Sequence, residues 1–355
     1  MRERAANSSI IVVARQAASA SAFLPLFEKL RQRDFHVCAF AFTHAHRVFS
    51  SHQVDAILVQ GFDRVLFDGI DEPSLLLTGT SEYADEDHRF WEWARSAGIP
   101  SLAFVDSWVA YSERFTPARE RHRRCSLTPD RIAVTDRLMY DRMIESGCDE
   151  RLLVITGNPA FDVLRGYVAR ERDAIVRSYG ENYVLFVGEP FNAAVYGGTE
   201  KEVLGYTEAE TLSLVANTLQ AMQGETLKLV FRPHPRSADA DGIRSVVGSR
   251  SNIVMDTGKF DARDLAACSR AVVGMTSLLL RESWVMGVPT LSVRPNAKLP
   301  SDVISGIPAV TAGTGDDLRA GLSGTLAGRR LPKDTPRSTL YDTMVSMISR
   351  EATFE

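Results

Sequence analysis

The most informative chemical pattern in the sequence is an apolar strand that runs directly into a basic, proline-rich loop. The stretch reads LVFRPHPR and ends at Arg236. Pro233 and Pro235 remove two backbone donors and stiffen the loop, so His234 is held in a fixed orientation at the carboxyl end of the strand. The flanking guanidinium groups of Arg232 and Arg236 suit an anion such as a diphosphate, because Arg forms charge-assisted, often bidentate hydrogen bonds. The alternative is a strand-ending turn with solvated arginines.

A second strand, Ala271–Val273, ends in a pattern typical of an anion-binding helix start. Gly274 permits a tight turn, and Thr276 and Ser277 stand where the next helix would begin. Their hydroxyls and the free backbone N–H groups of the first turn could receive a phosphate. Glu282, about one and a half turns further on, could reach ribose hydroxyls. The alternative is a plain Ser/Thr N-cap, a common feature of helices.

A third strand in the same half, reading VLFV, ends in Gly-Glu-Pro. Glycine lets the backbone approach a ligand, and the following Glu could accept a hydrogen bond from a base or a sugar hydroxyl. The signal is weak alone, but a doubly wound sheet brings such strand ends onto one edge. The residues predicted to bind a donor are Gly188, Glu189, Pro190, Arg232, His234, Pro235, Arg236, Thr276, Ser277 and Glu282.

Two carboxylates in the N-terminal half also follow apolar strands, and either could act as a general base toward a hydroxyl. Asp106 is preferred over Glu82 because it directly ends the strand Leu102–Val105 and is followed by Trp108, which could stack on a sugar ring. The alternatives are an Asx-type turn for Asp106 and a solvated carboxylate for Glu82. The predicted catalytic residues are Asp106, Glu82 and His234. The predicted acceptor-binding residues are Thr80, Ser81, Trp108 and Arg114.

The metal and cofactor motifs of other nucleotide enzymes are weak or absent in this sequence. Two acidic triplets, 85–87 and 239–241, match D-x-D, but neither directly ends an apolar strand, so we interpret them as a first helical turn and a polar turn. His44 and His46 have no carboxylate partner at recognisable spacing and are predicted on a surface loop. There is no P-loop and no G-x-G-x-x-G after the first strand. We therefore predict no metal and no cofactor.

The elements that must position these residues alternate between apolar runs and helical stretches, which predicts parallel, doubly wound sheets. The strand-like runs of the first half are Ile10–Ala14, Val37–Phe42, Ala56–Val59, Ser74–Thr78, Ser101–Val105 and Arg131–Val134. Those of the second half are Tyr183–Val187, Lys228–Phe231, Ile253–Met255, Ala271–Val273 and Thr290–Val293. The predicted helices include Ala22–Arg33, Asp87–Ala97, Glu208–Met222 and Leu278–Met286.

The length of 355 residues fits two α/β domains of about 150 to 180 residues each. The predicted fold class is α/β, with two Rossmann-like doubly wound parallel-sheet domains facing a cleft. We predict an N-terminal acceptor-binding domain over 1–160 and a C-terminal nucleotide-sugar-binding domain over 161–338. Residues 339–355 are predicted to form a C-terminal helix that packs back across the domains.

Composition and charge limit the partners and the compartment. The net charge of −4 is spread along the chain, so a nucleic-acid partner is not expected. Cys38, Cys125, Cys148 and Cys268 have no C-x-x-C spacing, which argues against a zinc site and a disulfide framework and favours a reducing cytoplasm. The first apolar run is too short for a signal segment or a membrane span. The chain is therefore expected in the cytoplasm, at most peripheral to the inner membrane.

Taken together, these segments resemble the GT-B superfamily, particularly bacterial surface-polysaccharide glycosyltransferases related to the nucleotide-sugar 2-epimerases. The resemblance extends from about Thr78 to Val293 and is carried by Ile155-Thr156-Gly157-Asn158-Pro159-Ala160-Phe161-Asp162, Arg232-Pro233-His234-Pro235, Thr276-Ser277, Glu282 and Gly287-Val288-Pro289. It implies that the C-terminal domain binds the nucleotide and the N-terminal domain the acceptor, without an obligatory metal. The implied function is transfer of a sugar from a nucleotide-sugar donor to a glycan, lipid-linked or protein acceptor in cell-surface polysaccharide synthesis.

The resemblance also bears on the donor. In relatives that use CMP-linked ulosonic acids, a Gly-Gln-Pro triplet, a His-Pro pair and a Ser/Thr pair recur, and here Gly188-Glu189-Pro190, His234-Pro235 and Thr276-Ser277 occupy these positions. A CMP-linked donor is thus favoured, while Glu189 in place of Gln leaves UDP and CDP donors open. A 2-epimerase or hydrolase is the alternative, although the glycines that follow the Ser in epimerases are absent here. A non-catalytic nucleotide-sugar-binding protein is the third interpretation.

Overall fold

A computed structural model describes residues 8–82, 85–117, 124–191, 197–222, 227–234, 241–328 and 336–351 of the chain, without the side chains of 241, 350 and 351. The chain divides into two compact units. The first contains Met1–Val163 and Pro336–Glu355, and the second contains Leu164–Thr335. The predicted site residues Pro235 and Arg236 and the triplet 239–241 lie outside the described residues or have no described side chain.

The first unit is built on a parallel seven-stranded sheet with the order β3-β2-β1-β4-β5-β6-β7. Its strands are β1 (Ser9–Ala14), β2 (His36–Ala41), β3 (Ile57–Leu58), β4 (Pro73–Thr78), β5 (Ser101–Phe104), β6 (Arg131–Val134) and β7 (Leu153–Ile155). Its helices are α1 (Ala17–Arg31), α2 (Thr43–Ser51), α3 (Glu86–Ser96) and α4 (Arg137–Glu145), with α5 (Pro159–Leu164) at the boundary. Every residue of β1 is buried, as expected for a continuous apolar run inside a parallel sheet.

The second unit repeats this architecture with six parallel strands in the order β10-β9-β8-β11-β12-β13. The strands are β8 (Tyr183–Val187), β9 (Lys228–Arg232), β10 (Ile253–Met255), β11 (Ala271–Gly274), β12 (Thr290–Val293) and β13 (Ala309–Val310). The helices are α6 (Arg172–Tyr179), α7 (Glu200–Leu204), α8 (Glu208–Ala221), α9 (Asp241–Gly248), α10 (Ala262–Cys268), α11 (Leu278–Val285) and α12 (Gly315–Ala327). The predicted fold class of two doubly wound parallel sheets is confirmed.

The last helix, α13 (Leu340–Glu351), belongs to the first unit. Leu340 and Met344 are fully buried in the core of that unit, together with residues of β1, β4 and α1. The segment that leads into α13 packs against Gly157. A Cβ on this residue would stand 3.1 Å from the Cα of Ser338, and its φ of +69° also suits glycine. The junction sequence around Gly157 therefore has a structural use, which is to hold the segment that leads into α13.

Several details differ from the sequence predictions. The polar stretch 161–178, whose composition predicts one helical segment, is divided between two helices, α5 and α6, with Gly166 between them at a φ of +76°. His44 and His46 lie on α2 and not on a loop, and spacing of two places them on different sides of a helix. The cysteine prediction was wrong for Cys125 and Cys148, which are joined by a disulfide across a separation of 23 residues that has no sequence signature.

Two features are absent from the described part of the chain. None of its helices has both the length and the apolar character that a membrane span requires. It also contains no group of three or more His, Cys, Asp or Glu side chains placed to hold a metal ion.

Candidate functional site

The site of the second unit is positioned by the reversal of strand order between β8 and β11. Ligands in doubly wound sheets bind where the order reverses, at the carboxyl ends of the strands. β8 ends at Gly188, and a Cβ there would stand 2.5 Å from Oε1 of Glu208 and 3.0 Å from the carbonyl oxygen of Arg232. Glycine is therefore required because three chain segments meet at this point.

The N-terminus of α11 binds a carboxylate of the same chain, that of Glu189. The backbone N–H of Thr276 donates to the Glu189 carboxylate, and the Thr276 hydroxyl donates to the same group at 2.7 Å. The amides of Met275 and Ser277 also favour the ionised carboxylate, whereas burial is the larger effect and raises the Glu189 pKa. The backbone amides of residues 275–277 and the Thr276 hydroxyl, which converge on this carboxylate, are called the cradle below.

The two hydroxyls predicted to receive a phosphate have different partners in the structure. Thr276 contacts Glu189, as described. Ser277 is the N-cap of α11, and its Oγ accepts from the amide of Leu279 at 3.3 Å. The capping alternative is therefore found for Ser277, while the Thr276 hydroxyl and the backbone amides form an anion site.

Two further carboxylates lie behind the cradle, and the sequence analysis did not identify them. The amide of Glu189 donates to Glu208 Oε1 at 2.8 Å, and the amide of Glu208 donates to Glu200 Oε1 at 2.9 Å. Burial raises the pKa of Glu208 to about 7, and repulsion from Glu200 and Glu189 adds to the rise. Glu208 is a common residue for a first helical turn, so its sequence position carries no signal of a buried acid.

Arg232, predicted to bind an anion, is paired with an internal carboxylate in this structure. Its Nη1 donates to Oδ2 of Asp256 at 2.5 Å and to the carbonyl oxygen of Phe260 at 2.8 Å. Asp256 has a fully buried side chain and accepts a second hydrogen bond, at 2.7 Å, from the Tyr179 hydroxyl. Burial and this hydrogen bond raise the Tyr179 pKa to about 12. The Arg232 guanidinium thus neutralises a buried aspartate, and His234 follows it at the same strand end.

Glu282, predicted to contact ribose hydroxyls, is held by a second arginine. Its carboxylate accepts from Nη2 of Arg263 at 2.6 Å and from Nε at 3.1 Å, the bidentate geometry that Arg and carboxylates favour. A ribose would have to share these oxygens with Arg263. The structure brings Gly188, Glu189 and Thr276 directly together and places Glu282 further along the same helix, α11.

The carboxyl edge of the first sheet contains a buried network centred on Arg114. Nη1 of Arg114 donates to the backbone carbonyl of Thr80 at 3.1 Å and to the Thr80 hydroxyl at 3.0 Å, and lies 3.6 Å from Oδ1 of Asp106. Its Nη2 lies 3.4 Å from Oε1 of Glu82. The structure therefore joins four of the predicted residues, but Arg114 is shared among internal acceptors.

Asp106 is buried, as expected for a general base whose pKa is raised by its surroundings. Its residue is 3% exposed, and Oδ2 has no hydrogen-bond partner among the described residues. Burial is the main cause of a raised Asp106 pKa, opposed by Arg114 and by the backbone amide of Ser19 at the start of α1. A carboxylate with a raised pKa is a stronger base than an exposed one.

Asp87, predicted in the first turn of a helix, is a second buried acid at this edge. The structure separates the triplet 85–87: the Asp85 side chain is 54% exposed, whereas Asp87 is 2% exposed. Burial raises the pKa of Asp87 to about 7, opposed by Ser81, Arg15 and Arg114. The sequence lacked a signal for it because the N-terminal turn of a helix is an ordinary place for an exposed Asp.

Trp108 does not offer a ring face to a sugar in this structure. Its residue is 2% exposed, its Nε1 donates to Asp136 at 3.0 and 3.1 Å, and its ring stacks on Phe161 with centroids 6.3 Å apart. The aromatic spacing after Asp106 is therefore a packing feature. A cavity of about 340 Å³ does exist at the ends of β1 and β2, lined by Arg15, Gln16, Phe42, Thr43, His44, Val59 and Gln60.

Comparison with known proteins gives a clear result for the fold. No family model matches the chain, and no curated protein matches its sequence at a significant level. The UDP-GlcNAc 2-epimerase of Methanocaldococcus jannaschii matches with 11% identity over 96% of this chain and 99% of that chain, with a TM-score of 0.68. The Neisseria meningitidis UDP-GlcNAc 2-epimerase bound to UDP-GlcNAc matches with 10% identity, coverage of 96% and 100%, and a TM-score of 0.66.

A transferase has the same fold. The glycotransferase of kitacinnamycin matches with 14% identity over 96% of this chain and 95% of that chain, with a TM-score of 0.56. The chain therefore has the GT-B type of fold, which nucleotide-sugar epimerases and glycosyltransferases share over their whole length.

Proposed function

We propose that the protein is a metal-independent glycosyltransferase that moves a sugar from a nucleotide-sugar donor to a hydroxyl acceptor. One observation carries the proposal: the functional edges of the two sheets hold complementary chemistry. The second sheet ends in an anion cradle at Thr276, suited to a donor phosphate. The first ends in the buried carboxylate of Asp106, suited to a general base.

The reaction requires one proton transfer and one exchange of bonds. Asp106 takes the proton from the acceptor hydroxyl, whose oxygen forms a bond to the anomeric carbon as the bond from that carbon to the donor phosphate breaks. The nucleotide leaves with the electron pair, and His234 stabilises the charge that develops on its phosphate. Arg114, 3.6 Å from Asp106, favours the ionised form of Asp106 against the effect of burial.

The donor favoured is a CMP-linked ulosonic acid, on the basis of the three recurring motifs, with UDP- and CDP-linked sugars as alternatives. The solved structure of the same fold that contains UDP-GlcNAc supports the inclusion of UDP sugars in any test. The acceptor proposed is a glycan, a lipid-linked sugar or a protein in cell-surface glycan synthesis. Such acceptors are compatible with a cytoplasmic enzyme in peripheral contact with the inner membrane.

A nucleotide-sugar 2-epimerase or hydrolase is the second candidate, and Asp87 is the observation that favours it. Isomerisation without an acceptor needs acid and base groups at the sugar itself, and Asp87 adds a second buried carboxyl, with a pKa of about 7, to the edge that contains Asp106. The epimerases compared above share the fold with higher TM-scores than the transferase.

One experiment separates these functions. The protein is incubated with CMP-, UDP- and CDP-linked sugars, with and without a mixture of glycan acceptors, and free nucleotide, sugar isomer and melting temperature are measured. Nucleotide release that increases with acceptor supports the transferase. Isomer formation without acceptor supports the epimerase, and stabilisation without turnover of any donor supports a binding protein.

A further inference from the structure

The cradle at the start of α11 already contains an anion. Its donors are the amides of residues 275–277 and the Thr276 hydroxyl, and they converge on the carboxylate of Glu189. Glu189 is contributed by the end of β8, the strand adjacent to β11 across the reversal of strand order. The groups that a donor phosphate would use are therefore engaged by a side chain that stands 87 residues away in sequence.

The carboxylate is held by hydrogen bonds and opposed by its surroundings. Glu208 accepts from the Glu189 amide at 2.8 Å, and Glu200 accepts from the Glu208 amide at 2.9 Å, so two further acids are linked in succession to Glu189. The end of the adjacent strand β9 contains Arg232, which is bound to Asp256. The charged groups around Glu189 thus disfavour a second anion, while the amides and hydroxyl favour one.

We infer that Glu189 determines which anions the donor site accepts, because a phosphate can bind the cradle only in exchange for the Glu189 carboxylate. The inference rests on the proposed donor site. A phosphate group has more acceptor oxygens than a carboxylate and competes for the same amides. The two anions cannot share the donors without strong repulsion in a partly buried site.

Replacement of the Glu189 carboxylate by a phosphate should change the protonation of the neighbouring acids. A phosphate in the cradle places a further negative charge beside Glu189, Glu208 and Glu200, and so favours the protonated form of these acids. Burial already raises the pKa of Glu208 to about 7, so a proton is available to this group near neutral pH. Phosphate binding should therefore take up a proton and should strengthen as the pH falls.

The test compares the intact protein with Glu189→Gln, which keeps the shape and removes the charge. The control is Glu181→Gln, which removes the same charge from an exposed position before β8. CMP and UDP binding is measured by calorimetry between about pH 6 and about pH 8, in buffers of different ionisation enthalpy, to count protons. We expect Glu189→Gln to bind about tenfold more tightly at the upper pH. The proton uptake that Glu208 contributes should remain in this variant. The control should behave like the intact protein.

A second variant, Glu189→Asp, distinguishes the effect of the negative charge from the effect of filling the cradle. It also keeps the test informative if Glu189→Gln does not fold. Glu189→Asp keeps the charge but is one methylene shorter, so its carboxylate is withdrawn from the Thr276 hydroxyl. It should also bind nucleotide more tightly than the intact protein. Equal or weaker binding of nucleotide by both folded variants overturns the inference.

Inorganic phosphate distinguishes this inference from the proposed function. It should raise the melting temperature of Glu189→Gln more than that of the intact protein or the control, whatever nucleotide the site prefers. Donor turnover with no effect of Glu189→Gln on phosphate or nucleotide overturns the inference and leaves the proposed function standing. A gain of phosphate binding without turnover of any donor supports the inference and rejects the proposed function.

Discussion

Nη1 of Arg114 lies 3.6 Å from Oδ1 of Asp106, and both side chains are almost completely buried. The pair connects the predicted base to the loop after β4, because the same guanidinium nitrogen donates to the carbonyl and hydroxyl of Thr80. Burial penalises the Asp106 charge, and Arg114 offsets part of the penalty. The raised pKa makes Asp106 a stronger base than an exposed carboxylate.

Replacement of Asp106 by Asn should therefore lower sugar transfer by about a hundredfold or more, since general bases typically contribute this much. Donor affinity should remain unchanged, which calorimetry with the nucleotide checks. The matched comparison is Glu82→Gln, which removes the exposed carboxylate on the other side of Arg114. Near-normal transfer by Asp106→Asn together with an inactive Glu82→Gln would assign the base to Glu82.

Asp87 should make stability depend on pH. Its pKa is raised from the ordinary 3.8 to about 7 in the folded protein, so the folded state binds a proton more tightly than the unfolded state. The resulting stabilisation is complete below about pH 4 and is lost as the pH rises through 7, with a slope approaching about 1.4 kcal/mol per pH unit in between. Asp87→Asn should remove this contribution.

Urea denaturation at several pH values measures the effect as a difference between the variant and the intact protein. The same difference for Asp85→Asn, at an exposed position two residues earlier, should be close to zero. Parallel stability curves for Asp87→Asn and the intact protein across this pH range would contradict the assignment of a raised pKa.

Thr276 and Ser277 should give separable effects. Ser277→Ala removes the cap on the Leu279 amide and should cost about 1 kcal/mol in unfolding free energy. Thr276→Ala removes the hydroxyl that points at the cradle and should weaken nucleotide binding more than it lowers the melting temperature. If nucleotide affinity is unaffected while stability falls in both variants, these residues serve only the helix.

His234→Ala should lower turnover at saturating donor at least tenfold, because the imidazole would stabilise the charge of the leaving phosphate. Steady-state kinetics and a thermal melt check the two parts of the claim. His52→Ala, at an exposed position after α2, is the control for loss of an imidazole. Unchanged kinetics in the folded His234 variant would remove this residue from the mechanism.

Gly188→Ala should destabilise the second unit by about 1–3 kcal/mol, because the added methyl would overlap Oε1 of Glu208 and approach the backbone oxygen of Arg232. Chemical denaturation provides the measurement. Gly324→Ala is the contrasting substitution, since nothing lies within 4 Å of a Cβ at that position on α12 and helix propensity favours Ala by about 0.5–1 kcal/mol. A stable Gly188→Ala variant would show that the three segments can separate.

The sequence determined eleven of the thirteen strands that the structure describes, together with the repetition of one architecture, because burial on both faces of a parallel sheet leaves continuous apolar runs. The short edge strands β7 and β13 were not predicted. From the ends of the predicted strands followed the placement of Gly188, Thr276 and Asp106 at functional edges. What the side chains contact there was decided by tertiary structure. The alignment of Glu189 with Thr276, the pairing of Arg232 with Asp256 and the burial of Asp87 depend on which distant segments become neighbours. Strand order and helix packing set those neighbours, and local patterns of residues do not encode them.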